Sequence, residues 1–141
     1  MPLRSSCQIN DVPTGATTSG NFVNDINNGT LPNCSFVTPD MCNSTHDCSV
    51  GTGDAFLQTW VSKIMAGPTT NAATVIIITW DESGGGATQA EIVISPRTHG
   101  IKTTSALDHY ARLRALEDLF SLPYLGNAAT AATNYRSSFG L

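Results

Sequence analysis

Charge is scarce in this 141-residue chain: Asp, Glu, Lys and Arg together make up 13%, about half the usual share, and the 7 basic residues form no cluster. With 11 acidic residues the net charge is −4, so the cationic footprint of a nucleic-acid binder is missing and no nucleic-acid partner is expected. No apolar run approaches the roughly 20 residues needed to cross a bilayer. The longest stops at Asp81, which predicts a soluble chain without a transmembrane segment. The opening Met1-Pro2-Leu3-Arg4-Ser5-Ser6 has no hydrophobic leader, so no export signal is read in this chain. A close Cys-x-x-Cys pair is absent, which removes a cysteine zinc site. Gly-x-Ser-x-Gly and the glycine-rich nucleotide signatures are absent too, so neither a serine-hydrolase triad nor a nucleotide fold is favoured.

What is present suffices for a core. A 40% hydrophobic share over this length suits one packed unit, or a piece of a larger one, and no internal repeat or long linker interrupts it. Residues 1–18, with Pro2, Pro13 and Gly15, read as irregular; residues 19–128 read as core, and 129–141 as a tail between short helix and loose terminus. Ser19 is placed to cap a helix over Gly20–Asn28 with Phe22, Val23 and Ile26 as its stripe and Gly29 as its end. Ser35–Val37 reads as a short strand stopped by Pro39, followed by a loop from Asp40 to Gly53. Phe56, Trp60 and Ile64 recur at helical spacing, with Leu57, Val61 and Met65 widening the face, which predicts a helix over Asp54–Met65 ended by Gly67-Pro68. Thr74–Trp80 and Ala90–Ser95 read as strands, the first covered on both faces. Ser105, with Asp108 as reciprocal partner, is placed to cap a second long helix packed through Leu113, Leu116, Leu119 and Phe120.

Four cysteines lean towards an oxidising compartment. Cys42 and Cys48 suit a small disulfide loop and Cys7 and Cys34 a second bridge, although three pairings, or free thiols, are open. The chemistry concentrates where a strand delivers Asp81 and Glu82 onto Gly84-Gly85-Gly86, the end at which α/β proteins place ligands. Asp40 with His46 and Asp47, and Asp108 with His109, supply two further groups of carboxylate and imidazole, donors that suit a divalent ion. Each group has a plain structural reading as well: Asp40 and Asp81 as turn residues, His46 as a loop histidine, Asp108 as a helix cap and His109 as a first-turn residue. Arg112 and Arg114 are explained by solvation.

The phrases Ser35–Asn43, His46-Asp47-Cys48, Gly51–Leu57, Val75–Gly85, Asp108-His109-Tyr110 and Leu113–Leu119 resemble the phosphoesterase family of bacterial phospholipases C and acid phosphatases, within the alkaline-phosphatase-like superfamily. The resemblance runs from Asn21 to Ala128 and places the chain in the C-terminal portion of the family domain, because the early acidic-Asn-hydroxyl phrase of the family is absent. It implies an α/β fold: part of an alkaline-phosphatase-like sheet with packed helices, incomplete, forming a partial phosphoesterase domain over 1–141. It further implies metal ligation by Asp81, Glu82, Asp40 and His109, and catalytic roles for Asp40, His46 and His109, with a divalent metal ion as cofactor. The expected function is metal-dependent hydrolysis of a phosphate monoester or a phospholipid-like phosphodiester, through a nucleophile outside this chain. The expected setting is extracellular or periplasmic for the full-length family member. A separate N-terminal half or self-association would complete the sheet. The alternative is an inactive metal-binding remnant or an interaction module.

Overall fold

The computed structural model describes residues 9–68, 74–82 and 88–141. They fall into two compact units, Met1–Thr74 and Val75–Leu141, each with its own buried residues.

The first unit is built on two helices, α1 (Asn21–Asn28) and α2 (Val50–Ala66). As the spacing predicts, Val23 and Ile26 bury against Trp60, and Phe22, Leu31, Phe56 and Ile64 pack around them. The Phe22 and Trp60 rings lie 5.2 Å apart at a tilt, a favourable aromatic geometry. Gly29 ends α1 in the left-handed conformation, as expected. The start differs: Gly20, not Ser19, occupies the N-cap position, and no side chain caps it. Ser19 instead donates its N–H to the Ala16 carbonyl at 3.3 Å, closing a tight bend in which a side chain on Gly20 would press on Gly15 Cα at 2.9 Å. Helix α2 begins four residues before the expected Asp54 because the Ser49 hydroxyl accepts from the Thr52 N–H and caps it earlier.

The loop before α2 is closed by a Cys42–Cys48 disulfide with a Cα–Cα distance of 4.7 Å. Cys34 is exposed, and the other half of its expected pair, Cys7, lies outside the described residues. Helix and loop meet at Gly53, where an added Cβ would collide with the Thr45 side chain and sit 3.2 Å from the Asn43 carbonyl oxygen. The predicted strand over Ser35–Val37 is not formed, and Phe36 is 86% exposed. Three β-prone residues make a strand only where a ladder partner satisfies their backbone, and none of the described residues pairs with them.

In the second unit β1 (Ile76–Thr79) pairs antiparallel with β2 (Glu91–Ile94), matching Ile76 to Ile94, Ile77 to Val93, Ile78 to Ile92 and Thr79 to Glu91. This corrects the expected fold. Among the described residues the sheet is a two-stranded hairpin, not part of a large alkaline-phosphatase-like sheet, and Val75 and Ile92 stay exposed, so the strand is not covered on both faces. The connection from Thr79 to Glu91 is at the lower limit for a crossover between parallel neighbours, and the strands it joins pair antiparallel instead. The Gly84-Gly85-Gly86 turn expected there lies outside the described residues.

Helix α3 (His109–Phe120) is followed by a 3-10 turn (Gly126–Thr130) and the short helix α4 (Tyr135–Ser138). Asp108 itself is the N-cap of α3, its carboxylate accepting from the Ala111 N–H at 2.8 Å, so the expected box led by Ser105 is replaced by a single Asp cap. The buried positions of α3 are Ala111 and Glu117, while Leu119 is exposed. The tail is not loose: Ala128 and Tyr135 are fully buried, and Arg114 donates to the carbonyls of Ala128, Ala129 and Ala131 while stacking on Tyr124.

Two packing tests follow. Trp60→Ala removes the centre of the first unit's core and is expected to cost about 3–5 kcal/mol in urea unfolding followed by far-UV circular dichroism. Gly53→Ala forces Thr45 and the disulfide loop away from α2; a loss of about 1–3 kcal/mol is expected, and an unchanged midpoint would show that the loop does not depend on this approach.

Candidate functional site

The polar candidates of the first unit are organised locally. Asp40 Oδ1 accepts from the backbone N–H groups of Cys42 and Asn43 at 3.0 and 2.8 Å, and Oδ2 accepts from the Asn43 amide at 3.0 Å. This carboxylate shapes the turn that opens the disulfide loop. The Asn43 N–H bond holds its pKa below the ordinary aspartate range, with desolvation opposing and the Asn43 side chain and Cys42 N–H adding to the lowering. His46 Nδ1 lies 2.8 Å from Asp47 Oδ1, and both side chains are mostly exposed. A broad depression of about 820 Å³ on this unit is lined by Thr17, Thr18, Asn27, Gln58, Ser62 and Lys63 among others. Its lining includes neither carboxylate nor imidazole, and Lys63 is the ionisable side chain that lines it.

The second unit holds a connected polar cluster beneath the acidic turn. Asp81 and Glu82 follow β1 after Trp80 and are exposed. At the start of α3 the His109 ring reaches back to the Asp81 backbone carbonyl, with Nε2 at 2.8 Å from the oxygen. Its Nδ1 meets the Arg112 guanidinium through Nη2. A guanidinium can only donate, so Nδ1 accepts and the ring proton sits on Nε2, where it is given to Asp81. The Gln89 amide nitrogen lies 2.9 Å from the same Nε2; two donors do not pair, so with the ring proton on Nε2 the Gln89 amide is turned to present its oxygen there.

Arg112 is the centre of this cluster. Its Nη1 donates to Thr79 Oγ1 at 2.6 Å and to Glu91 Oε2 at 3.2 Å, with both members of the ion pair less than one-fifth exposed. Glu91 Oε1 in turn accepts a short hydrogen bond from the Tyr135 hydroxyl. Burial, and then the Glu91 carboxylate, raise the Tyr135 phenol far above its ordinary range, so it remains a neutral donor. One cation thereby ties the end of β1, the start of β2 and the first turn of α3, and through Glu91 it reaches α4.

These contacts decide how a divalent ion would be received. Asp81 and Glu82 are exposed carboxylates and suit a hard cation. His109 as placed does not: one ring nitrogen faces a cation and the other carries the proton given to a carbonyl. Among the described residues no three His, Cys, Asp or Glu side chains are grouped to hold a metal. Thr79, Gln89, Glu91, Arg112 and Tyr135 were not legible as site residues. A faint signal existed in Arg112 lying three positions after His109, which stacks the two on one helix face.

Two measurements check this geometry. Asn43→Ala is expected to raise the Asp40 pKa towards its ordinary 3.8 in carboxyl-carbon NMR titration. Because the folded value is depressed, Asp40 favours the folded state above the unfolded pKa, and that contribution is lost as pH falls through the lowered value. Arg112→Ala leaves Glu91 beside Tyr135 without its cation; a loss of about 3 kcal/mol is expected in thermal unfolding, largely recovered by the further change Glu91→Gln.

Comparison with known proteins gives the family. The model of the Phosphoesterase family matches residues 3–88, more than half of the chain. The chain is 27% identical over 112 residues to a probable acid phosphatase of Kluyveromyces lactis, covering 74% of this chain and 27% of that protein. It is 33% identical over 103 residues to a phosphatidylinositol-3-phosphatase of Mycobacterium tuberculosis (72% and 34%), and 26% identical over 112 residues to an acid phosphatase of Aspergillus fumigatus (74% and 25%). The chain thus spans about a quarter to a third of the length of these relatives. No solved structure matches. The span of the family match corrects the expected placement: it lies over the N-terminal two-thirds, not over Asn21–Ala128, and the description as a C-terminal portion of an alkaline-phosphatase-like domain is not kept. What that match does establish is that the chain belongs to the Phosphoesterase family.

Proposed function

We propose that the protein hydrolyses phosphate esters, and that its substrates are monoesters. The carrying observation is the family match over residues 3–88, which ends just beyond the acidic turn of Asp81 and Glu82. The names of the relatives support the monoester class, since they are acid phosphatases and a phosphatidylinositol-3-phosphatase. A phospholipase-C-like diesterase is the less supported form of the same chemistry.

In this reading Asp81 and Glu82 are the working carboxylates, placed at the exposed end of β1 where a phosphate group can approach. They would hold a divalent ion, whose contribution when bound is to offset the negative charge of the phosphoryl group. The chain's own part is to present the two carboxylates on a fixed backbone. Thr79 and Glu91 lie side by side in the ladder behind them, and Arg112 bonds both. Asp40 and His46 belong to the first unit and are given no step in this reading. The Cys42–Cys48 disulfide supports an oxidising setting, extracellular or periplasmic.

The test is turnover by the purified chain on para-nitrophenyl phosphate and on a choline phosphodiester, with magnesium, manganese or zinc supplied. Monoester turnover is expected to exceed diester turnover, and Asp81→Asn is expected to lower it by about 100-fold. Turnover that Asp81→Asn leaves unchanged would sink the assignment of the acidic turn, and preference for the diester would reverse the substrate class.

A further inference from the structure

We infer that His109 and Arg112 are positioning residues for the acidic turn: Arg112 fixes the tautomer and orientation of the His109 ring, and His109 pins the backbone of Asp81. This rests on the reading of Asp81 and Glu82 as the working carboxylates, and it gives His109 a part other than ligand or general acid-base group.

A residue at the end of a four-residue strand is poorly held by the strand itself, since β1 pairs only as far as Thr79. Asp81 lies two positions beyond that last pair, and its carbonyl receives its hydrogen bond from the imidazole instead. A backbone carbonyl fixed in this way fixes the peptide plane between Asp81 and Glu82, and with it the directions in which the two side chains leave.

The ring can do this in only one of its neutral forms. With the proton on Nδ1, Nε2 would turn a lone pair towards the Asp81 oxygen and the contact would be repulsive. Arg112 removes that form by donating to Nδ1. Arg112 is itself held by Thr79 and Glu91, and Glu91 by Tyr135, so orientation is carried from the buried Tyr135 to the exposed turn without a loop side chain in the path. Such support of a working group by its neighbours commonly contributes 10- to 100-fold to activity or affinity, of the order of one properly placed hydrogen bond.

The experiment uses the full chain and its His109→Ala, His109→Gln and Arg112→Lys forms, each confirmed folded by the methyl spectrum of Ile76–Ile78. In the wild type, ring nitrogen-15 shifts are expected to show the proton on Nε2; a majority of Nδ1–H would overturn the inference whatever the variants do. In His109→Ala the Asp81 carbonyl-carbon resonance is expected to move upfield as its hydrogen bond is lost. His109→Gln, which keeps a donor, is expected to restore it in part, and Arg112→Lys to shift ring signal towards the other tautomer. A carbonyl signal unmoved in His109→Ala overturns the inference. On para-nitrophenyl phosphate, kcat is expected to fall about tenfold in His109→Ala with KM little changed, and to recover in His109→Gln. Turnover that depends on Asp81 but keeps its kcat in His109→Ala overturns the positioning role. The expected spectra in a chain whose wild type shows no turnover would uphold the pinning of the turn and count against the hydrolase reading alone.

Discussion

Within the second unit, the rest of the structure depends on where the Arg112 guanidinium finds its partners. The short ladder supplies few backbone hydrogen bonds, and a lone two-stranded hairpin is marginal in water. Arg112 compensates by joining a hydroxyl on β1, a carboxylate on β2 and an imidazole of its own helix. The geometry is demanding, because a mostly buried cation and carboxylate stabilise a fold only when their remaining donors and acceptors are met. Here Tyr135 supplies the last of these to Glu91. Arg114, two residues on, does comparable service for the segment after α3 by collecting the carbonyls of Ala128, Ala129 and Ala131.

The first unit rests on a different principle. Its core is apolar and helical, and its polar loop is held by a disulfide and by one carboxylate bonded within its own turn. Asp40, which resembles a site residue by its phrase, spends both carboxylate oxygens on the turn at Cys42 and Asn43. A structural part for Asp40 and a functional one are compatible, since a carboxylate held ionised by N–H groups is also a fixed negative charge.

Legibility differed sharply between the two units. The stripe of Phe22, Val23 and Ile26 and the recurrence of Phe56, Trp60 and Ile64 are local periodic signals, and both helices formed where they pointed. The disulfide was legible because Cys42 and Cys48 stand close together in a polar loop. The sheet was not: an isoleucine run carries no mark of whether its partner runs parallel or antiparallel, and only the length of the connection argued for the hairpin that formed. The polar cluster was least legible of all. Arg112 and Arg114 look like solvated helix charges, and their inward use depends on Thr79, Glu91, Ala128 and Ala129, residues that reach them only through tertiary packing. Tyr135 was hidden for the same reason, in a tail whose composition suggests little order yet whose ring is almost wholly buried.

The meeting of Gly53 with Thr45 bears on the order of assembly. Loop closure between Cys42 and Cys48 is local, so the bond contributes about 2 kcal/mol, the low end for a disulfide. It also acts on shape, because a loop already cross-linked offers α2 a rigid surface with a notch that only a glycine fits. Oxidation before the helix docks would present that surface ready-made, whereas a reduced loop would have to be moulded by the helix itself. The redox state met during synthesis therefore bears on how this unit matures as well as on how firmly it holds once complete.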